Sequence, residues 1–164
     1  MIIETEIDSR MYMNFMFTMS YRKPATLIPT IIGALLILTS VLYFAGFKII
    51  YNEPPHLQLV LGFFIVGILP FSIYRSAKKN YPFLGRLQEK IIFEFTDEKI
   101  IETGETFSEE MDWSEINKVQ ELNTWMLIYQ NTGSAIILPK ASFGKNLNAF
   151  RDLIRSKEIE ALLK

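Results

Sequence analysis

The amino-acid sequence predicts an α-helical membrane hairpin joined to a small α+β domain, an antiparallel sheet or barrel carrying a C-terminal helix. Three observations predict it: two uncharged runs that are apolar all round, basic residues gathered outside those runs, and a series of short period-two segments after residue 90. Overall charge and residue chemistry narrow the function classes. Lys and Arg number 17 against 18 Asp and Glu, so the basic excess that a phosphate backbone demands is missing and no nucleic-acid partner is expected. With no cysteine and His56 as the single histidine, disulfides, Cys/His metal sites and Ser-His or Cys-His catalysis lack their parts.

Residues 1–23 read as an N-terminal strand and an amphipathic segment. Ile2, Ile3, Thr5 and Ile7 alternate with Glu4, Glu6 and Asp8 over most of their length, as a strand with one wet face does, and this strand is expected to pair with the C-terminal sheet. Met11 to Met19 is apolar at both helical and strand spacing, so its period decides nothing; it packs on the domain or lies at the lipid surface. An acidic start is unlike a secretory signal, which makes the following apolar run a retained signal-anchor.

Residues 24–47 hold 24 positions without a charge, about 36 Å as a helix and more than the ~30 Å hydrocarbon core of a bilayer. Residues 57–74 hold 18, about 27 Å, enough for a second crossing. A pair of buried core helices is the competing reading, but such helices carry a polar stripe that these runs lack. Residues 48–56, with Pro54-Pro55 to stop a helix, form a short extracytoplasmic loop. Arg22 and Lys23 precede the first span, and Arg75, Lys78, Lys79 and Arg86 follow the second, in a basic juxtamembrane linker over residues 75–90. The loop has Lys48 against Glu53. Positive residues stay inside, so the chain is expected in the cell (inner) membrane with both termini cytoplasmic. Tyr21, Tyr43, Tyr51, Tyr74 and Tyr81 fall near the span ends, where amphipathic rings sit at headgroup level.

Residues 91–164 form the soluble domain. Ile91 to Thr96 alternates, Asp97-Glu98-Lys99 turns, and Ile100 to Thr103 returns as a hairpin. Gly104-Glu105 turns into Thr106 to Asp112, and a strand follows at Ile116 to Leu122. Thr124 to Tyr129 and Ser134 to Leu138 flank Asn131-Thr132-Gly133, whose Asn and Gly tolerate the positive φ of a tight turn. Leu147, Phe150, Leu153 and Ile154 make the stripe of an amphipathic helix over Asn146 to Ile154, and Glu158 to Lys164 is expected to continue helical. About five short antiparallel strands closed by a helix is the order of pleckstrin-homology-like barrels.

Trp113-Ser114-Glu115-Ile116, the strand from Trp125 to Tyr129, Ile137-Leu138-Pro139-Lys140 with Phe143, and then Phe150-Arg151 stand in an order that resembles the YcxB-like family of bacterial membrane proteins. The resemblance implies two spans and a cytoplasmic pleckstrin-homology-like domain. It brings no agreed activity, and the chain departs from it at Ala141, where the family commonly has a second basic residue. The candidate interaction residues are therefore Trp113, Ile116, Trp125, Pro139, Lys140, Phe143, Phe150 and Arg151.

Other groups have plainer readings. Glu109, Glu110, Asp112 and Glu115 lack calcium-loop spacing and a partner histidine, and read as a solvated charged face. His56 reads as an exposed loop residue. Trp113 and Trp125 are core anchors before they are stacking platforms. The basic collar of the second span either holds anionic headgroups or records topology alone. No catalytic set and no cofactor is expected. The function expected is a membrane-anchored, non-enzymatic binding or regulatory module whose partner is anionic lipid or a membrane protein. The alternative is a subunit of an oligomeric channel or transporter, lined by Thr26, Thr30, Thr39, Ser40 or Gln58.

Overall fold

Alternation in the first residues becomes a strand, β1 (Ile2–Thr5), whose odd residues turn inward. Ile3 and Thr5, with Ile7 just beyond, are buried, whereas Glu4 and Glu6 are exposed. In the computed structural model, which describes residues 1–47, 50–157 and 159–163, β1 pairs antiparallel with β2 (Ile91–Phe95), Ile3 opposite Phe93 and Thr5 opposite Ile91. The chain between these partners forms its own unit. Met1–Asp8 and Leu84–Lys164 make one compact unit, and Ser9–Phe83 makes the other.

The first unit holds two sheets. One runs β1-β2-β3-β4, with β3 (Lys99–Thr103) and β4 (Ser108–Asp112), antiparallel throughout. The other runs β7-β6-β5-β8, with β5 (Ile116–Glu121), β6 (Trp125–Gln130), β7 (Ala135–Pro139) and β8 (Glu160–Leu162). Its neighbours are antiparallel except β8, which lies parallel to β5. A 3-10 turn at Trp113–Glu115 leads from the first sheet to the second, held where the Asp112 N–H donates to the Glu115 carboxylate at 3.1 Å. Gly133 closes the β6–β7 hairpin at φ +87°, a conformation that favours glycine. Before β2 comes a short helix, α4 (Gly85–Gln88). After β7, a 3-10 stretch at Lys140–Asn146 leads into α5 (Leu147–Ser156).

Between the sheets and α5 lies one apolar core. Phe150 is its centre, 4.8 Å from Phe143 and 5.0 Å from Phe95 by ring centroids, with Ile100, Met126, Ile128, Leu138 and Ile154 fully buried around it. Trp113 borders the same core and donates its indole N–H to the Thr96 carbonyl at 3.0 Å. Two expectations need correction. Among the described residues of 91–164 there are seven strands rather than about five, and β1 joins them as expected. Glu158 to Lys164 does not continue as a helix: α5 ends at Ser156 and Glu160–Leu162 is β8, Ala161 opposite Val119. The reason is period. Ile159, Ala161 and Leu163 pack against the core while Glu160 and Leu162 are exposed, an alternation of two that completes the free edge of β5. Glu158 and Lys164 lie outside the described residues.

The second unit contains α1 (Ser9–Tyr21), α2 (Pro24–Phe44), α3 (His56–Asn80) and a 3-10 turn at Tyr81–Phe83. The Met- and Phe-rich run whose period decides nothing is thus helical. The second apolar helix extends past residue 74 through Asn80, so the segment read as a linker over 75–90 is largely helical. Lys48, counted in the loop charge, lies outside the described residues. Both α2 and α3 are long and apolar enough to cross a membrane. Ile28, Leu35, Leu38, Val60, Phe64 and Phe71 on them are each more than half exposed, the reverse of what core helices of a soluble protein do with such residues.

The two helices approach through glycine. A Cβ at Gly62 would come within 2.8 Å of the Gly33 carbonyl oxygen and of Ile37 Cγ1, and one at Gly33 within 3.0 Å of Val66. Next to their far ends, the Tyr51 hydroxyl lies 3.1 Å from Thr39 Oγ1, and Ser40 is buried with its hydroxyl donating to the Leu36 carbonyl. Gly62→Val has to push backbone from backbone and is expected to destabilise the full chain in detergent by about 1–3 kcal/mol. Thermal unfolding checks this against Gly67→Ala, whose added Cβ meets nothing within 4 Å and should leave the melting temperature unchanged.

Candidate functional site

β5 bulges between Ile116 and Lys118, after which Val119 and Glu121 share the inward face. That puts a carboxylate inside: the Glu121 side chain is 0% exposed. Two of the candidate interaction residues meet it there. Arg151 on α5 donates from Nε to Glu121 Oε2 at 3.0 Å and from Nη2 to Oε1 at 2.6 Å, and Lys140, just after β7, pairs with Oε1. A third Arg151 donor, Nη1, reaches Asn148 Oδ1 at 2.8 Å. The Glu121 carboxylate holds the Arg151 guanidinium still further above its ordinary range. The backbone closes around the same place, where Lys140 N–H donates to the Thr124 carbonyl and Pro139 stands opposite Trp125. Trp113, Ile116, Trp125, Pro139, Phe143 and Phe150 are all buried. The quoted motif residues thus come together as core and clamp, and Glu121 is the member that sequence reasoning missed. Its signal was present: an acid two residues from Val119 on an inward-facing register.

A second feature is a groove of roughly 330 Å³ between the two sheets, with Ile7, Ile91 and Phe93 on one wall, Ile136 and Ile137 of β7 on the other, and Glu102 at its rim. Burial first, and the Glu109 charge second, push the Glu102 carboxyl above the ordinary carboxylate range, while Arg86 opposes them. Arg86 belongs to this rim rather than to the collar with which the sequence groups it. Its Nη1 lies 2.6 Å from Glu109 Oε1 and its guanidinium 4.6 Å over the Phe107 ring. Nearby, Glu89 accepts from the Thr106 N–H at 2.9 Å and from the Thr106 hydroxyl, bonds that hold its carboxyl below the usual range and fasten α4 to the β3–β4 turn.

The remaining candidates are dispersed. Glu110 pairs with Lys99, and Glu115 caps the turn that follows Asp112. Arg22, Lys23, Arg75, Lys78 and Lys79 are exposed and, among the described residues, form no ion pair. His56 is exposed beside Phe44, 5.5 Å between ring centroids. Of the hydroxyls an oligomeric pore would use, Thr30, Thr39 and Ser40 donate to carbonyls of their own helix at 2.7–2.8 Å.

The clamp and the rim respond differently to mutation. Arg151→Met leaves the sealed Glu121 carboxylate with one of its two cations, whereas Glu121→Gln leaves two cations about one-fifth exposed that can turn to water. Thermal melts of the full chain should therefore drop further for Arg151→Met, by roughly 5 °C or more, than for Glu121→Gln. At the rim, a raised folded-state pKa means that ionising Glu102 costs stability at pH above that value, and the cost disappears as pH falls below the ordinary carboxylate pKa. Glu102→Gln is expected to raise the melting temperature at about pH 7 and to match the parent near about pH 4; a gain that is independent of pH would contradict this assignment.

No curated protein and no solved structure matches the chain. The family model described as YcxB-like protein matches residues 95–154, a segment running from the end of β2 through the Glu121 clamp to Ile154 of α5, and the chain therefore carries a YcxB-like domain.

Proposed function

We propose that this protein is a membrane-anchored, non-enzymatic binding module whose two apolar helices cross the cytoplasmic membrane and whose YcxB-like domain stands, with both termini, on the cytoplasmic side. One observation carries the reading. β1 and β2 are hydrogen-bonded partners, yet α2 and α3 lie between them in sequence. Strand partners share a compartment, so any bilayer crossed between Thr5 and Ile91 is crossed an even number of times, and α2 and α3 supply two. The side follows from charge. Arg22, Lys23, Arg75, Lys78 and Lys79 flank the ends that lead back to the domain, while the connection between the helices has one Lys and one Glu.

Strand order supports a pleckstrin-homology-like fold for the domain: a four-stranded antiparallel meander, a three-stranded one, then a helix. In this reading the hairpin supplies the address, and the groove beside Glu102 is the surface that meets a membrane-protein partner. Because the chain has no cysteine, single cysteines report topology without background. Asn52→Cys is expected to react with a membrane-impermeant maleimide on intact cells, and Ala149→Cys, on the exposed side of α5, only after permeabilisation. Reaction of Ala149→Cys on intact cells would reverse the orientation, and protection of both would remove the crossing.

A further inference from the structure

Cations divide between the two units in a way that net charge conceals. In the domain, Arg86, Lys90, Lys99, Lys118, Lys140, Arg151, Arg155 and Lys157 each have a carboxylate partner, and Lys145 is the one described cation there without one. In Ser9–Phe83, Glu53 is the sole acid, and no described cation has such a partner. Three of these cations stand together. Arg75, Lys78 and Lys79 follow Phe71 and Tyr74 at the i, i+3, i+4, i+7 and i+8 positions of α3, one face of a helix, and these five side chains alone line an open concavity of roughly 340 Å³.

We propose that this face binds one anionic glycerophospholipid, with its phosphate held by Arg75, Lys78 and Lys79 and its glycerol and upper acyl chain laid against Phe71 and Tyr74. The inference rests on the membrane reading above and assigns it a ligand. Charge favours it: three cations within about 6 Å of helix rise have no carboxylate partner among the described residues, and the last turn of a helix offers only the weak negative end of its dipole. Depth fits as well. Counted from Leu57, an 18-residue crossing ends at Tyr74, which puts Arg75 at the hydrocarbon edge and Lys79 about one headgroup layer further out. The rings then fall where acyl chain gives way to glycerol, a level that suits Tyr. A zwitterionic lipid offers the same chains and phosphate but brings its own ammonium, so the site should discriminate by net charge.

Native mass spectrometry of the full chain in a neutral detergent tests this with phosphatidylglycerol, phosphatidylcholine and inorganic phosphate as probes. Phosphatidylglycerol is expected as a one-to-one adduct retained roughly tenfold over phosphatidylcholine. The Arg75→Gln/Lys78→Gln/Lys79→Gln variant should lose that excess, and Arg22→Gln/Lys23→Gln should keep it. Equal retention of the two lipids, or an excess that survives the triple substitution, overturns the site. Displacement of phosphatidylglycerol by millimolar phosphate overturns the lipid assignment in favour of a bare anion site. Alkaline carbonate extraction of the parent chain separates the two levels: a chain that stays in the membrane without lipid preference sinks only this site, whereas one that is extracted sinks the membrane reading too.

Discussion

The antiparallel contact of β1 with β2 ties residue 3 to residue 93, and the rest of the architecture is constrained by it. A strand pair closed over so long an intervening chain would normally carry a heavy entropic cost. Here the intervening chain is itself folded and brings its own ends together: within that unit α1 packs along α3, and the Tyr12 ring lies 5.8 Å from the Tyr81 ring. The effective loop is therefore the distance between two neighbouring ends, not the contour of the chain, which is the condition under which one unit can be inserted into another. The order of events follows. β1 precedes both apolar helices in the chain and has no partner until β2 has been made, so the domain cannot close until the whole helical unit has been synthesised.

The two units dispose their apolar side chains differently. In the domain, apolar side chains face a common core around Phe150, and charged groups are neutralised by one another at the surface, worth little each. In the helical unit many large apolar side chains of α2 and α3 face outward, so the helices do not share a buried core like that of the domain. Their contact relies on close packing, the kind that small residues allow between helices in lipid by letting backbones approach. Gly33 and Gly62 supply that contact. They are far apart in sequence and neither belongs to a glycine pair at four-residue spacing, so the reading of each helix alone finds no packing motif.

What could be read from sequence was whatever depends on neighbours along the chain. The apolar runs, the tight turn at Asn131-Thr132-Gly133 and the amphipathic stripe of α5 all follow from local period and turn chemistry, and each appears within a few residues of its expected place. Features made by distant partners were harder to read. Arg86 follows the basic residues of α3 in sequence, yet its charge is met by Glu109 on β4. Ile159, Ala161 and Leu163 alternate as a strand does, but a run so short becomes one only by pairing with the free edge of β5. Glu121 and Lys140 bracket an 18-residue stretch without a single charge. Only the folded hairpin reveals why, since it returns the two ends to one another.

That bracketing also explains what the motif residues do. Burying a carboxylate and drawing two cations to it costs desolvation that their attraction only roughly recovers, so the clamp is a poor source of net stability. Its contribution is positional. The planar fork of Arg151 meets both oxygens of Glu121 in one orientation, which sets the rotation of α5. Lys140 fixes the exit of β7 on the same carboxylate. With Phe143 and Phe150 packed ring against ring directly beyond, the β7–α5 connection has one arrangement in which both the charges and the aromatic core are satisfied. A lysine and an arginine already committed to an internal carboxylate are poorly placed to serve an external phosphate as well. Neither of the two surfaces proposed above for recognition, the groove beside Glu102 and the cationic face of α3, draws on Lys140 or Arg151.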